Sequence, residues 1–238
     1  MNSPFSIIAS IILAIGVALG GYFIGDGFLK ARHGDRFVTV KGVSEREVKA
    51  DLAVWQIPIS ASGNNLSDVQ AKIDKDLGRI VSFLQGHGIM PEETTRGVLR
   101  VEDLLQQRGR DRAPDMRYVV NQSITVRTPK VQAVSEASQA IGDLVKEGVL
   151  ISWSQGPQYI FTGLNGVKPT MIAEATREAR KAAEQFAKDS GSTVGAIRRA
   201  NQGVFSITAR TGNAATPDSS EQDKTVRVVS TIDFYLED

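Results

Sequence analysis

No cysteine occurs in the chain, which excludes a disulfide, a thiolate nucleophile and a cysteine metal site together. The absence fits any compartment and mildly suits an oxidising one, where a stray thiol is a liability. Histidine is almost as scarce. His33 and His87 are the only two, and neither has a second ligand at a recognisable metal-binding spacing. An excess of one charge is also missing. The chain carries 28 Lys and Arg against 27 Asp and Glu, so a global basic footprint for nucleic acid is absent.

Catalytic signatures are missing as well. Serine, lysine and aspartate are plentiful, but no G-x-S-x-G or S-x-x-K arrangement stands out. Gly25-Asp26-Gly27 opens like a dinucleotide-binding loop, yet Lys30 stands where the third glycine belongs, and a hydrophobic run precedes it instead of a strand. Glu92-Glu93 and Glu102-Asp103 are neighbours in sequence. Paired-carboxylate catalysis needs groups facing each other across a cleft, so these four read as solvated acids. The densest basic patch, Arg108-Gly109-Arg110-Asp111-Arg112, reads as a solvated loop. The expectation is a non-enzyme with no catalytic, cofactor-binding or metal-binding residues.

What the chain does have is an uncharged run from Pro4 to Gly25, PFSIIASIILAIGVALGGYFIG. A bilayer core is crossed by a helix of about 20 mostly apolar residues. The Ile, Leu, Val and Phe side chains of the run favour insertion by about 3–6 kcal/mol as an upper bound. The stretch before it, Met1-Asn2-Ser3, lacks the basic character of a secretory signal, and the best small-residue site falls inside the run. An uncleaved anchor over residues 1–29 is therefore expected, with a long signal peptide as the alternative. Lys30, Arg32 and Arg36 follow the run, and the positive-inside rule on its own would keep the body of the protein in the cytoplasm. Gly16-Gly20 and Gly21-Gly25 each fit G-x-x-x-G, a spacing that lets two membrane helices approach closely.

Residues 30–36 form a tether, and residues 37–238 read as the soluble domain. A strand, Phe37 to Gly42, is followed by a polar turn at Glu45-Arg46-Glu47. A second strand runs from Val48 to Ala61, with Ala53, Trp55, Ile57 and Ile59 on one face. Pro58 lacks a ladder donor, which puts that strand at an edge or at a bulge. Helical spacing marks Leu66 to Gln85, capped by Asn65 or Ser67 and ended by Gly86 and Gly88. Thr94 to Leu105 and Tyr118 to Thr128 read as strands flanking the loop Gln106–Asp115. Thr128-Pro129 opens a second helix as N-cap and first residue. Val149 to Trp153 and Gln158 to Thr162 are extended, interrupted by Ser154-Gln155-Gly156-Pro157. Gly163 to Gly166 is a loop. A third helix, Pro169 to Ser190, carries a narrow stripe of Ile172, Ala175, Ala179, Ala182, Ala183, Phe186 and Ala187, small enough to pack close to a sheet. Thr193 to Ala209 is extended, Arg210 to Asp223 is a polar, mobile loop, and Thr225 to Leu236 is the last strand. The order ββαββαβαββ indicates an α+β domain of antiparallel sheets with helices packed on them, preceded by one N-terminal transmembrane helix.

Four stretches resemble the SIMPL-domain family. They are Val38-Thr39-Val40-Lys41-Gly42, similar to its opening I-x-V-x-G strand; Leu84 to Pro91, LQGHGIMP, similar to its first helix exit; Tyr118 to Val126, similar to its Tyr-led strand; and Glu174 to Gly195, similar to its alanine-spaced helix running into a strand. Their order and spacing cover most of Phe37 to Leu236. The resemblance implies a bacterial envelope protein, exported or anchored, of a kind that includes ring- or channel-like homo-oligomers and members linked to oxidative-stress tolerance. It implies no catalytic residues. It places the domain on the periplasmic side of the inner membrane, against the flanking charges, and suggests self-assembly of this chain, with a ligand- or partner-binding module as the alternative and an enzyme as the least favoured reading.

Overall fold

Alternation builds the first two strands, which belong to different sheets. In the computed structural model, which describes residues 13–25, 36–106, 115–211 and 218–237, strand β1 is Phe37–Lys49 and β2 is Leu52–Gly63. The expected turn at Glu45-Arg46-Glu47 is instead strand, because its charges find partners across the sheet. Glu45 pairs with Arg227 at 2.9 Å and Glu47 with Arg210 at 3.4 Å. The chain reverses at Ala50-Asp51, where the Asp51 carboxylate accepts bonds from the Thr162 and Gly163 amides at 2.7 and 3.0 Å.

Residues 13–25 form helix α1, apolar and exposed. Among the described residues, no helix is long and apolar enough to cross a membrane. The start of the expected anchor at Pro4, residues 30–35 of the tether with His33, and the Arg108–Arg112 patch lie outside the described residues.

The remaining elements are α2 (Leu66–Gly86), β3 (Thr94–Arg96), β4 (Arg100–Asp103), β5 (Tyr118–Thr128), α3 (Val131–Gln139), α4 (Gly142–Lys146), β6 (Gln158–Ile160), α5 (Leu164–Asp189), β7 (Thr193–Gln202), β8 (Ser206–Ala209) and β9 (Asp223–Glu237). Merging β3 with β4, α3 with α4 and β7 with β8 recovers the expected order, so the α+β reading with antiparallel sheets and helices is correct. The strand expected over Thr94–Leu105 is split because Gly97 donates to Ser123 O at 2.7 Å and its own carbonyl accepts from Gln122 Nε2 at 3.1 Å, which ends β3 before β4 begins. Thr128 does not cap the second helix. It ends β5, donates to Glu93 Oε1 at 2.6 Å and accepts from the Lys130 amide at 3.1 Å, so helix α3 starts later, at Val131.

The chain divides into two compact units. One comprises Glu45–Pro169 and Ser206–Arg227. It contains a five-stranded sheet of order β3-β5-β2-β6, with β4 also paired to β5. Ladder β2–β5 runs unbroken from Ala53↔Thr128 to Gly63↔Tyr118. Pro58 therefore lies inside the sheet, not on an edge strand. It is tolerated because the β6 ladder on its other side covers only Leu52–Val54, and Ser60 N and Pro58 O there meet single partners, Leu150 O and Ser152 N. The inner face of β2 (Ala53, Trp55, Ile57, Ile59, Ala61) packs with Val69, Ile73, Leu77, Ile80 and Leu84 of α2 and with Val134 and Ala137 of α3. Each large buried aliphatic here stabilises by roughly 1.5–3 kcal/mol.

The apolar face of α2 also buries Asp76, at 1% exposure. Lys72 Nζ lies 2.7 Å from one carboxylate oxygen and Arg79 3.3 Å from the other. The same cations donate to the Gly148 and Glu147 carbonyls after α4, so one buried acid joins two helices.

The other unit comprises Met1–Ser44, Thr170–Phe205 and Val228–Asp238. Its core is small: Val40, Ala179, Ala183, Ile232 and Phe234. The buried stripe of α5 is Met171, Ala175, Ala179, Ala183 and Ala187, a strict four-residue repeat. Phe186, expected in that stripe, is exposed, because it falls one residue out of the repeat. Helix α5 also begins earlier than expected, at Leu164, absorbing all of the predicted Gly163–Gly166 loop except Gly163 and placing Pro169 inside the helix.

Candidate binding groove on the open face of the five-stranded sheet

Period-two alternation that buries one face of β2 and β5 leaves the other polar. Across the ladder, Gln56 faces Thr125, Pro58 faces Ser123 and Ser60 faces Asn121. Gln56 Nε2 donates to Ser123 Oγ at 3.2 Å. The segment after α4 runs beside this face, held by Ser152 N to Pro58 O at 2.9 Å and Ser154 Oγ to Gln56 O at 3.0 Å. Gly156 turns that segment with φ +76°, and its amide donates to Ser154 Oγ at 3.2 Å.

Three adjoining depressions result. The first, about 470 Å³, lies between Gln56, Pro58 and Thr125 of the sheet and Trp153 to Gly156 of the segment. A second, about 250 Å³, shares Gln56 and Pro58 and continues past Ser123 and Asn121 to Val98 and Arg100. A third, about 340 Å³, shares Trp153, Gln155 and Gln158 with the first and ends at Ser219 and Ser220. Trp153 lines both the first and the third and is 82% exposed. Val98 at the opposite end is 90% exposed. Among the described residues, Arg100 is the one ionisable side chain lining the three depressions. Trp153 and its groove were not foreseen from sequence. The available signal was a tryptophan followed at once by Ser-Gln-Gly-Pro, turn residues that cannot bury it.

The residues weighed from sequence fall elsewhere. His87 is the C-cap of α2, its Nδ1 2.9 Å from Phe83 O and its ring 4.5 Å from the Phe83 ring. Two of the four acids are not freely solvated. Glu93 binds the Met90 amide at 2.7 Å, Thr128 Oγ1 at 2.6 Å and Lys130 Nζ at 3.0 Å. Burial pushes its carboxyl up, but the bonds from Thr128, Met90 and Lys130 together outweigh it and hold the group below the ordinary glutamate value. Asp103 receives Arg117 Nε and Nη2 at 3.3 and 3.0 Å, and these bonds hold it below the aspartate value. Glu92 is exposed, as expected. The described flanks of the Arg210–Asp223 loop are tied, Thr211 donating to Glu221 and Asp218 Oδ1 accepting from the Ala209 amide at 3.0 Å, and residues 212–217, where mobility is expected, lie outside the described residues. Beside it Lys224 is buried and donates to Asp218 O. Burial pushes its ammonium below the ordinary lysine value, against the pull of Asp218 and Glu221. Among the described residues, no group of three or more His, Asp or Glu is placed to hold a metal ion.

Comparison with known proteins adds a family. No curated protein matches the chain. A solved structure of a hydrolase from Listeria innocua is 12% identical over 78% of this chain and 90% of that chain, with a TM-score of 0.17, a likeness that carries no inference. The family model SIMPL, described as a protein of unknown function (DUF541), matches residues 38–234. That span takes in the opening strand at Val38, the alanine helix α5 and nearly all of β9, and the chain belongs to the SIMPL family.

Proposed function

We propose that the protein is a non-enzymatic cell-envelope module, anchored in the inner membrane through Pro4–Gly25, that works by non-covalent binding along the open face of its five-stranded sheet on the periplasmic side. The observation that carries this reading is Trp153, a large indole left 82% exposed beside a groove of neutral polar side chains. Exposed aromatic groups beside convergent hydrogen-bonding groups mark recognition sites. The uncharged N-terminal run supports the anchor, and the family resemblance supports the envelope location. Acrylamide quenching of the full-length protein tests the reading, with Trp153→Phe identifying the share of emission that belongs to Trp153. Trp153 is expected to be open to quencher in detergent and shielded in native envelope membranes. Equal quenching in both sinks it.

Self-assembly is the second reading, favoured by a different observation. A Cβ built on Gly16, Gly20, Gly21 or Gly25 of α1 would meet nothing within 4 Å outside the helix's own backbone among the described residues, so each of the two G-x-x-x-G pairs, which lie on different sides of the helix, has room for a second copy. Light scattering on the detergent-solubilised protein tests it. A strict monomer at high concentration, or an oligomer unaltered by Gly20→Ile with Gly21→Ile, removes this reading.

A further inference from the structure

The lining of the groove specifies a class of ligand. We infer that the three joined depressions take a neutral oligosaccharide chain, with one sugar ring stacked on Trp153, an inference that rests on the binding role proposed for this face. Four observations converge on it. First, the depressions adjoin one another, sharing Gln56 and Pro58 between the second and the first and Trp153 between the first and the third, a succession of sites that suits a linear polymer. Second, its polar groups are amides and hydroxyls, chiefly Gln56, Thr125, Gln155 and Gln158. Each of these both donates and accepts hydrogen bonds, as does every hydroxyl of a sugar. Third, among the described residues Arg100 is the single ionisable lining group, and it stands at one end. The groove therefore lacks the cationic clamps that phosphate, sulfate or uronate would need and the acids that a cationic ligand would need. Fourth, an indole standing out of a polar surface offers a flat apolar face to the C–H side of a pyranose ring while the ring hydroxyls meet the amides.

An extended peptide fits less well. Peptides dock on sheets by adding to an edge, through backbone donors and acceptors, whereas this groove crosses a face and presents side chains.

The test uses the full-length protein in detergent and isothermal titration calorimetry with chitotetraose, cellotetraose and maltotetraose, against a sulfated tetrasaccharide and a neutral Gln/Ser-rich decapeptide. Saturable binding of at least one neutral tetrasaccharide is expected, weakened about tenfold or more by Trp153→Ala, restored in part by Trp153→Phe, and weakened about fivefold by Gln56→Leu. Trp153 is exposed, so its replacement leaves the fold intact, and an unchanged melting curve checks this. No binding by any neutral sugar, preference for the sulfated sugar or the peptide, or binding indifferent to Trp153→Ala overturns the inference. If Trp153 is shielded in native membranes but no sugar binds, the carbohydrate assignment falls and the binding role survives. If it is quenched equally in membranes and detergent, the binding role falls.

Discussion

A Cβ atom built on Gly42 would lie 1.8 Å from the carbonyl oxygen of Ala175 and 2.6 Å from the amide nitrogen of Ala179. Strand β1 and helix α5 thus meet backbone to backbone at this point, and the atoms in the way belong to a helix that cannot rotate aside. Gly42→Ala is expected to lower stability by about 3 kcal/mol or more, at the upper end of overpacking effects. Urea unfolding of the variant measures it, and a midpoint within error of the parent refutes the contact.

Asp76 makes a second prediction. Its carboxylate is buried between Lys72 and Arg79, which remain partly in water. Removing it leaves two cations that re-solvate instead of two stranded charges, so Asp76→Ala is expected to cost about 1–3 kcal/mol, less than breaking a fully buried pair. Asp76→Asn, which keeps an acceptor of similar size, is expected to cost less than Asp76→Ala. The reverse ranking in denaturant melts would show that a neutral acceptor at this position does nothing for Lys72 and Arg79.

Acid is expected to loosen the fold through three carboxylates. Asp233 is 3% exposed. A bond from Thr39 Oγ1 at 2.8 Å, followed by one from Arg199 Nε at 3.0 Å, holds its carboxyl below the ordinary aspartate value. Asp103 and Glu93 are also held low in the folded chain. The sign is set by linkage: a folded value below the unfolded one gives stability that is present above the unfolded value and disappears as pH falls through the folded one. Melting temperature should therefore drop below about pH 4. Asp233→Asn should lower it at neutral pH and shallow that acid limb. An acid limb identical in the parent and in Asp233→Asn would remove Asp233 from this account.

Ser230 predicts the opposite of a loss. It is buried in β9, and its hydroxyl has no hydrogen-bond partner among the described residues. An unsatisfied buried hydroxyl costs free energy that its removal returns. Ser230→Ala is expected to be neutral or to gain about 1 kcal/mol. A clear loss of stability in thermal melts would mean that the hydroxyl has a partner after all.

Much of the architecture was legible because it follows from period. Trp55, Ile57 and Ile59 alternate, and they are the buried face of β2. Ile73, Leu77, Ile80 and Leu84 recur at helical spacing, and they are the buried face of α2, with Asn65 as its cap. What failed was decided by contacts distant in sequence. The charges of Glu45 and Glu47 look like a turn until Arg227 and Arg210 arrive from the other end of the domain. Thr128 looks like a helix cap until Glu93 takes its hydroxyl. Pro58 looks like an edge marker because sequence does not reveal that the neighbouring ladder stops at Val54. The groove was illegible for the same reason. Its walls come from β2, β5 and the segment after α4, and only Trp153 among their residues is conspicuous in a list of amino acids.

The alanine stripe of α5 has a calorimetric consequence. Ala175, Ala179, Ala183 and Ala187 are all buried, yet each removes little apolar area from water. Their contribution comes from close atomic approach more than from the volume of apolar side chain they hide. The heat-capacity increment of unfolding follows exposed apolar area, so it is carried mainly by the core around Trp55 and α2. Loosening the α5 packing should absorb heat with little change in heat capacity, and its stability should vary less steeply on cooling than that of the larger core.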